Sequence, residues 1–263
     1  MRLKYLFALS GLLYTSVNAQ TNNIVNKSHY IIDKLTKEHY APIDWQKAND
    51  TVFINNILDE LDDSKLYFTK DEADELKKLA ADIKNHTSTN LQILYNKTFQ
   101  YFKAANSRNL KFINDLQTTN IDLNKNDSIP ADLKDYAGNV KELERRWQIL
   151  LQEKVYSKLV KQLKLEKDKK INTTIKPTIA QINTAKQDVF KRYSKNFNYY
   201  NTDALIHEYL EDVFLNTVCL MYDPHSSYFN FDSHKEFEAS TTANIFTCGV
   251  VVSKNKQNNY EIP

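Results

Sequence analysis

The residues able to do chemistry are few and widely spread. His207-Glu208-Tyr209-Leu210-Glu211 sets a histidine and two carboxylates on neighbouring helical turns. A zinc helix needs a second imidazole four residues after the first, so that both face one ion. Position 211 is glutamate, so the segment reads as a solvated helix face. His29, His39, His86, His225 and His234 are scattered without ligand spacing. His225-Ser226-Ser227 places an imidazole beside two hydroxyls, but nucleophile and base usually meet from distant sequence. No serine has glycines two residues to either side, which excludes the strained nucleophile turn of the α/β hydrolases. Asp62-Asp63 is an acid pair; adjacent acids in a helical chain are mostly caps or surface groups, because carboxylates are rarely buried.

The elements that must position these groups are helices. The 263 residues contain three glycines, Gly11, Gly138 and Gly249. Phosphate-cradling loops need several glycines close together, so P-loop and dinucleotide-binding readings are excluded. All-β folds also spend glycine on turns and bulges. Apolar residues at helical spacing predict helices over 22–37, from Trp45 to Leu61, from Lys70 to about Asn85, and from Asn90 to Asn106. Further helices are predicted over Val140–Leu165, Ile179–Tyr193 and Asp203–Tyr222. Asp44 and Thr69 are the expected caps of the second and third, with acids after Thr69 in the first turn. Lys65-Leu66-Tyr67-Phe68 reads as an ordered, partly apolar connection. Asp223-Pro224 stops the last long helix, since proline disfavours helical geometry in the residue before it. Ser233 with Glu236 has capping-box spacing and predicts a short helix to Ala239. The texture then changes: Ile245 to Val252 is β-branched and reads as a strand, Lys254 to Asn259 as a turn, and Tyr260 to Pro263 as a second strand opening.

Arg2 and Lys4, the apolar run Tyr5 to Val17, and Val17-Asn18-Ala19 make a secretory signal, with cleavage expected between Ala19 and Gln20. The 35 basic residues fall by two on cleavage and then equal the 33 acids. That balance argues against a nucleic-acid partner. No later run is apolar and long enough to span a bilayer. Two cysteines, Cys219 and Cys248, are too few for a disulfide scaffold and read as buried free thiols.

The segment Asp223-Pro224-His225-Ser226-Ser227-Tyr228 resembles the Asp-Pro-His-Ser/Thr-x-Tyr signature of tail-specific, or carboxy-terminal processing, serine proteases. Glu236-Phe237 resembles the pair that follows it in that family. Thr247-Cys248-Gly249-Val250 resembles the first PDZ strand, with Gly249 matching its second glycine and Thr247 standing where the first would be. Upstream, Leu61-Asp62-Asp63-Ser64, the Trp147 helix and Arg192-Tyr193 are similar to further family segments.

The resemblance implies a mostly α fold. A signal peptide at 1–19 would precede a multi-helix N-terminal domain at 20–241, and 242–263 would be the first strands of a truncated PDZ-like β domain. It implies a periplasmic endopeptidase that cuts proteins selected by apolar C-terminal tails, using a serine activated by a lysine. Both catalytic residues belong downstream of the PDZ domain, so none is assigned in this chain, which is expected to be inactive alone. Asp223, Pro224, His225, Ser226 and Tyr228 are expected to be structural, with Asp223 or Ser226 as a cap and His225 hydrogen-bonding across the joint to the PDZ part. No metal or cofactor is expected. The expected partners are tailed protein substrates and a periplasmic adaptor protein. The alternative is a stand-alone exported helical binding or adaptor protein without activity.

Overall fold

A computed structural model describes residues 24–44, 48–81, 88–120, 133–167 and 176–241, with two short strands beyond them. The chain divides into two compact units, Met1–Ser227 and Tyr228–Pro263. The first unit holds α1 (24–38), α2 (Asp50–Asp62), α3 (Lys70–Ala80), α4 (Ser88–Gln117), α5 (Val140–Lys167), α6 (Ile179–Tyr199) and α7 (Asp203–Leu220). The mostly α reading therefore holds.

Local chemistry sets the helix starts. Thr69 caps α3 through a full capping box: its hydroxyl accepts from Glu72 N–H at 3.4 Å, and its own N–H donates to the Glu72 carboxylate at 2.8 Å. Thr178 and Gln181 repeat that arrangement at α6. Asp44 does not cap α2. Asn49 does, accepting from Thr51 and Val52 N–H at 3.0 and 3.3 Å, so the helix begins at Asp50 rather than Trp45. The side-chain amide wins because it sits directly before the apolar stripe Phe53, Ile54, Ile57, Leu58 and Leu61, all of which are buried.

α3, α4 and α6 also differ in length from their periodic stretches. α3 ends at Ala80, short of Asn85. α4 continues eleven residues beyond Asn106, and the side-chain amide N–H groups of its interior asparagines reach backbone carbonyls of other segments. Asn106 Nδ2 donates to Phe197 O at 3.0 Å and Tyr200 O at 3.2 Å, and Asn109 Nδ2 donates to Leu66 O at 3.1 Å. α6 runs past Tyr193 to Tyr199, carried by the buried Phe197.

α4 packs against α3, α5, α6 and α7, and α2 packs against α3 and α7. One core cluster gathers Leu66, Phe112, Ile113, Leu143, Trp147, Leu151, Val155, Phe190 and Phe197. Burying each large side chain of this kind contributes about 1.5–3 kcal/mol. α7 is buried nearly all round, through Ile206, Leu210, Val213, Phe214, Leu215 and Val218. Among the described residues no helix is long and apolar enough to cross a membrane.

The second unit contains α8 (Phe231–Thr241), which has no buried residue. Asn230, not Ser233, starts it: Ser233 N–H donates to Asn230 Oδ1 at 2.9 Å, and the helix runs two residues beyond Ala239. Strands β1 (Ser253–Lys254) and β2 (Tyr260–Glu261) pair antiparallel, with Ser253 opposite Glu261. The expected strand from Ile245 to Val252, including Gly249, lies outside the described residues, as does the signal segment.

Candidate functional site

The family-like signature forms a joint at the end of α7. Tyr222 and Asp223 N–H both reach back to Cys219 O, at 3.0 and 3.4 Å, closing the helix before Pro224. Asp223 is the cap of the bend. Its Oδ1 accepts from His225 N–H at 2.9 Å and its carbonyl accepts from Ser226 N–H at 3.0 Å. That side-chain mimic of a turn suits aspartate at this place. Pro224 and His225 are exposed, Ser226 is half-buried, and Tyr228 opens the second unit.

The far end of the chain completes the joint. The buried Tyr222 hydroxyl lies 2.8 Å from Thr36 Oγ1 and donates to Ile32 O at 3.2 Å. Asp223 Oδ2 accepts from the Tyr40 hydroxyl at 3.4 Å and lies 3.9 Å from His39 Nε2. The His39 and Asp223 side chains are only 10% and 15% exposed. The His39 ring meets Tyr222 edge-on at 5.7 Å, and its Nδ1 is 3.2 Å from Ala41 N. The last turn of α1 and the two residues after it thus grip the signature. Sequence reading grouped His39 with the scattered histidines and gave Tyr222 no role. The only signal available was the aromatic immediately before Asp223.

Four other groups singled out in the sequence, His207, Glu211, Cys219 and Asp62, are engaged or buried within the helical unit. His207 is not on a solvated face; it is buried, with its ring stacked on Phe99 at 4.1 Å and its Nδ1 3.0 Å from the Tyr95 hydroxyl. Burial holds its pKa below the ordinary histidine value. Glu211, four residues on, pairs with Lys27 of α1. No cluster able to hold a metal occurs among the described residues. Cys219 is a buried free thiol pushed up to about 11 by burial, which leaves it protonated and inert. Cys248 lies outside the described residues.

Asp62 is likewise not a surface acid. It is buried at the corner between α2 and α3, where its two oxygens accept from Leu66 N–H at 2.6 Å and Phe68 N–H at 2.9 Å. Desolvation raises its pKa to about 6, against the pull of those hydrogen bonds and of Lys65. The corner's carbonyls are held from other helices. Trp147 Nε1 and Asn109 Nδ2 both donate to Leu66 O, and Arg108 donates to Tyr67 O at 2.6 Å. Arg108 also makes a two-pronged bond with Glu72 at 2.8 and 3.0 Å. Burial pulls the Glu72 pKa up, but the Arg108 and Thr69 bonds outweigh it and leave the carboxyl below its usual value.

Beside this corner opens a cleft of about 580 Å³, lined by Lys65, Lys77, Lys134, Asp135, Tyr136 and Glu142 among others. The Lys65 and Lys77 ammoniums lie 5.0 and 5.8 Å from the Tyr136 ring centre. The cleft walls carry both signs of charge, and Lys65 and Lys70 answer Asp59 and Asp74 at 3.0 and 2.6 Å.

Residues 31–232 match the family described as the tail specific protease N-terminal domain. The matched stretch takes in the α2–α3 corner and the Asp223 joint and ends inside α8. No curated protein matches the chain.

Proposed function

This chain belongs to the family of the tail-specific protease N-terminal domain, and from that premise we propose that it scaffolds a periplasmic tail-specific serine endopeptidase and handles its protein substrates. The peptide-cutting serine and its lysine base belong to a core outside these 263 residues, reached through a PDZ domain that begins after residue 241. The PDZ domain takes apolar C-terminal tails by strand addition. The helical domain contributes rigidity and shape, and a periplasmic adaptor is the further partner this reading allows.

One observation carries the scaffold role. The groups that resemble catalytic parts are spent on holding the fold: His207 stacks in the core, Asp62 caps a corner, and the Asp223 carboxylate holds the bend after α7. A side chain locked in this way is not free to move protons to and from a substrate.

The test is a cleavage assay on a folded reporter ending in an apolar tail. The 263-residue chain leaves the reporter intact, whereas the protease that contains it removes the reporter. Cleavage by the chain alone would overturn the division of labour.

A further inference from the structure

We propose that the cleft beside the α2–α3 corner binds a carboxylate with a neighbouring N–H donor, the chemistry of an acidic peptide segment or of a free acidic amino acid. The inference stands apart from the protease reading and rests on the shape and charges of the cleft.

Three segments fix its walls. α3 presents Lys70, Asp74 and Lys77, which share one helix face at spacings of four and three. α2 supplies Asp59 and the buried Leu58. The third wall, residues 134–138, is pinned through its backbone: Lys70 N–H donates to Ala137 O at 2.8 Å, and Arg146 donates to Asp135 O at 2.8 Å. Walls held in this way lose little freedom when a ligand arrives. The volume of about 580 Å³ falls within the range of about 300–1,000 Å³ usual for small-ligand sites.

The unanswered charges set the ligand chemistry. Asp59 pairs with Lys65, Asp74 with Lys70, and Glu142 with Arg146 and Gly138 N–H. That leaves Lys77 and Lys134 against Asp135. Among the described residues no carboxylate pairs with either lysine, and no cation pairs with the Asp135 side chain. The Tyr136 ring steers the Lys77 ammonium, 5.8 Å from its centre. Two free ammoniums take a carboxylate, and the free acid beside them takes an N–H. A polyphosphate would instead set its charges against Asp59, Asp74 and Asp135. Leu58 and Tyr136 offer apolar surface to the ligand's carbons. Two further observations mark the cleft. The Tyr136 hydroxyl is buried and bonds no described residue, and Lys65 holds a left-handed backbone at φ 55°, a costly state for a residue other than glycine.

Titration of the whole chain with an acetylated, amidated tetrapeptide bearing one glutamate, followed by amide NMR shifts, tests the proposal. Amides in 65–77 and 134–142 should shift saturably, and raising the salt from about 50 to about 500 mM should weaken binding. The same peptide with glutamine in place of glutamate should bind about tenfold more weakly. Lys77→Met together with Lys134→Met should weaken binding about tenfold, and both side chains are exposed, so the fold is kept. Lys111→Met, outside the cleft, should leave binding unchanged. Free glutamate separates the two sources: binding as tight as the peptide's assigns the site to the amino acid, weaker binding assigns it to a peptide segment, and either supports the site. Shifts that fail to saturate or that spread over the surface would overturn it, as would equal binding of the glutamine peptide or undiminished binding by the doubly substituted chain.

Discussion

The Tyr222 hydroxyl lies 2.8 Å from Thr36 Oγ1, tying together residues 186 positions apart. Tyr222 directly precedes the Asp223 bend, so the start of the helical domain and its last bend form one structural unit. Tyr222→Phe keeps the ring packing and removes the hydroxyl's bonds to Thr36 and Ile32. It should cost about 0.5–1.5 kcal/mol in urea denaturation and raise exchange in 24–38 before it does so in α4.

The Leu66 carbonyl receives two donors, Trp147 Nε1 at 2.9 Å and Asn109 Nδ2 at 3.1 Å. Removing one leaves the other in place; removing both strands a buried acceptor. Asn109→Ala and Trp147→Phe together should therefore destabilise by about 1 kcal/mol more than the sum of the single changes. A double-mutant cycle in denaturant measures the excess.

His207 lies below the ordinary histidine value because burial disfavours its charged form. Its contribution to stability is present above the unfolded pKa of about 6.5 and is lost as pH falls through the folded value. Asp62 acts in the opposite sense. Its raised pKa makes its contribution complete below the ordinary carboxyl value and lost as pH rises through about 6. His207→Phe keeps an aromatic ring against Phe99, and the Tyr95 hydroxyl retains its bond to the carbonyl of residue 207. The variant should lose less stability than the wild type between pH 7 and pH 5, measured by denaturation at each pH.

Cys219 sits inside α7 with its thiol pushed up to about 11. Alkylation at neutral pH followed by peptide mass spectrometry should leave Cys219 unmodified in the folded protein and label it fully in guanidinium.

Helix existence was legible in the sequence wherever an apolar stripe met a side-chain cap, as at Thr69 before α3. The end of α4 was placed too early, at Asn106, because polar residues interrupt the stripe there. The partners of the Asn106 amide, Phe197 O and Tyr200 O, come from a segment distant in sequence. Asp62 and His207 were misjudged for a related reason. Charged and polar residues are usually exposed, and what permits burial is a set of partners brought by other segments: corner N–H groups for one, Tyr95 and Phe99 for the other. The signature at 223–228 was legible as a motif, and within it the Asp223 carboxylate accepts from His225 N–H. Its grip by His39 and Tyr40 was not legible, since nothing local in sequence links positions so far apart.

The central claim is that this domain serves a protease whose catalytic core lies beyond it. The nucleotide sequence immediately after the Pro263 codon tests that most directly. The account predicts a reading frame that continues, or resumes after a single insertion or deletion, into a PDZ domain and a serine/lysine core. A clean stop followed by unrelated sequence would contradict it and favour a stand-alone exported adaptor.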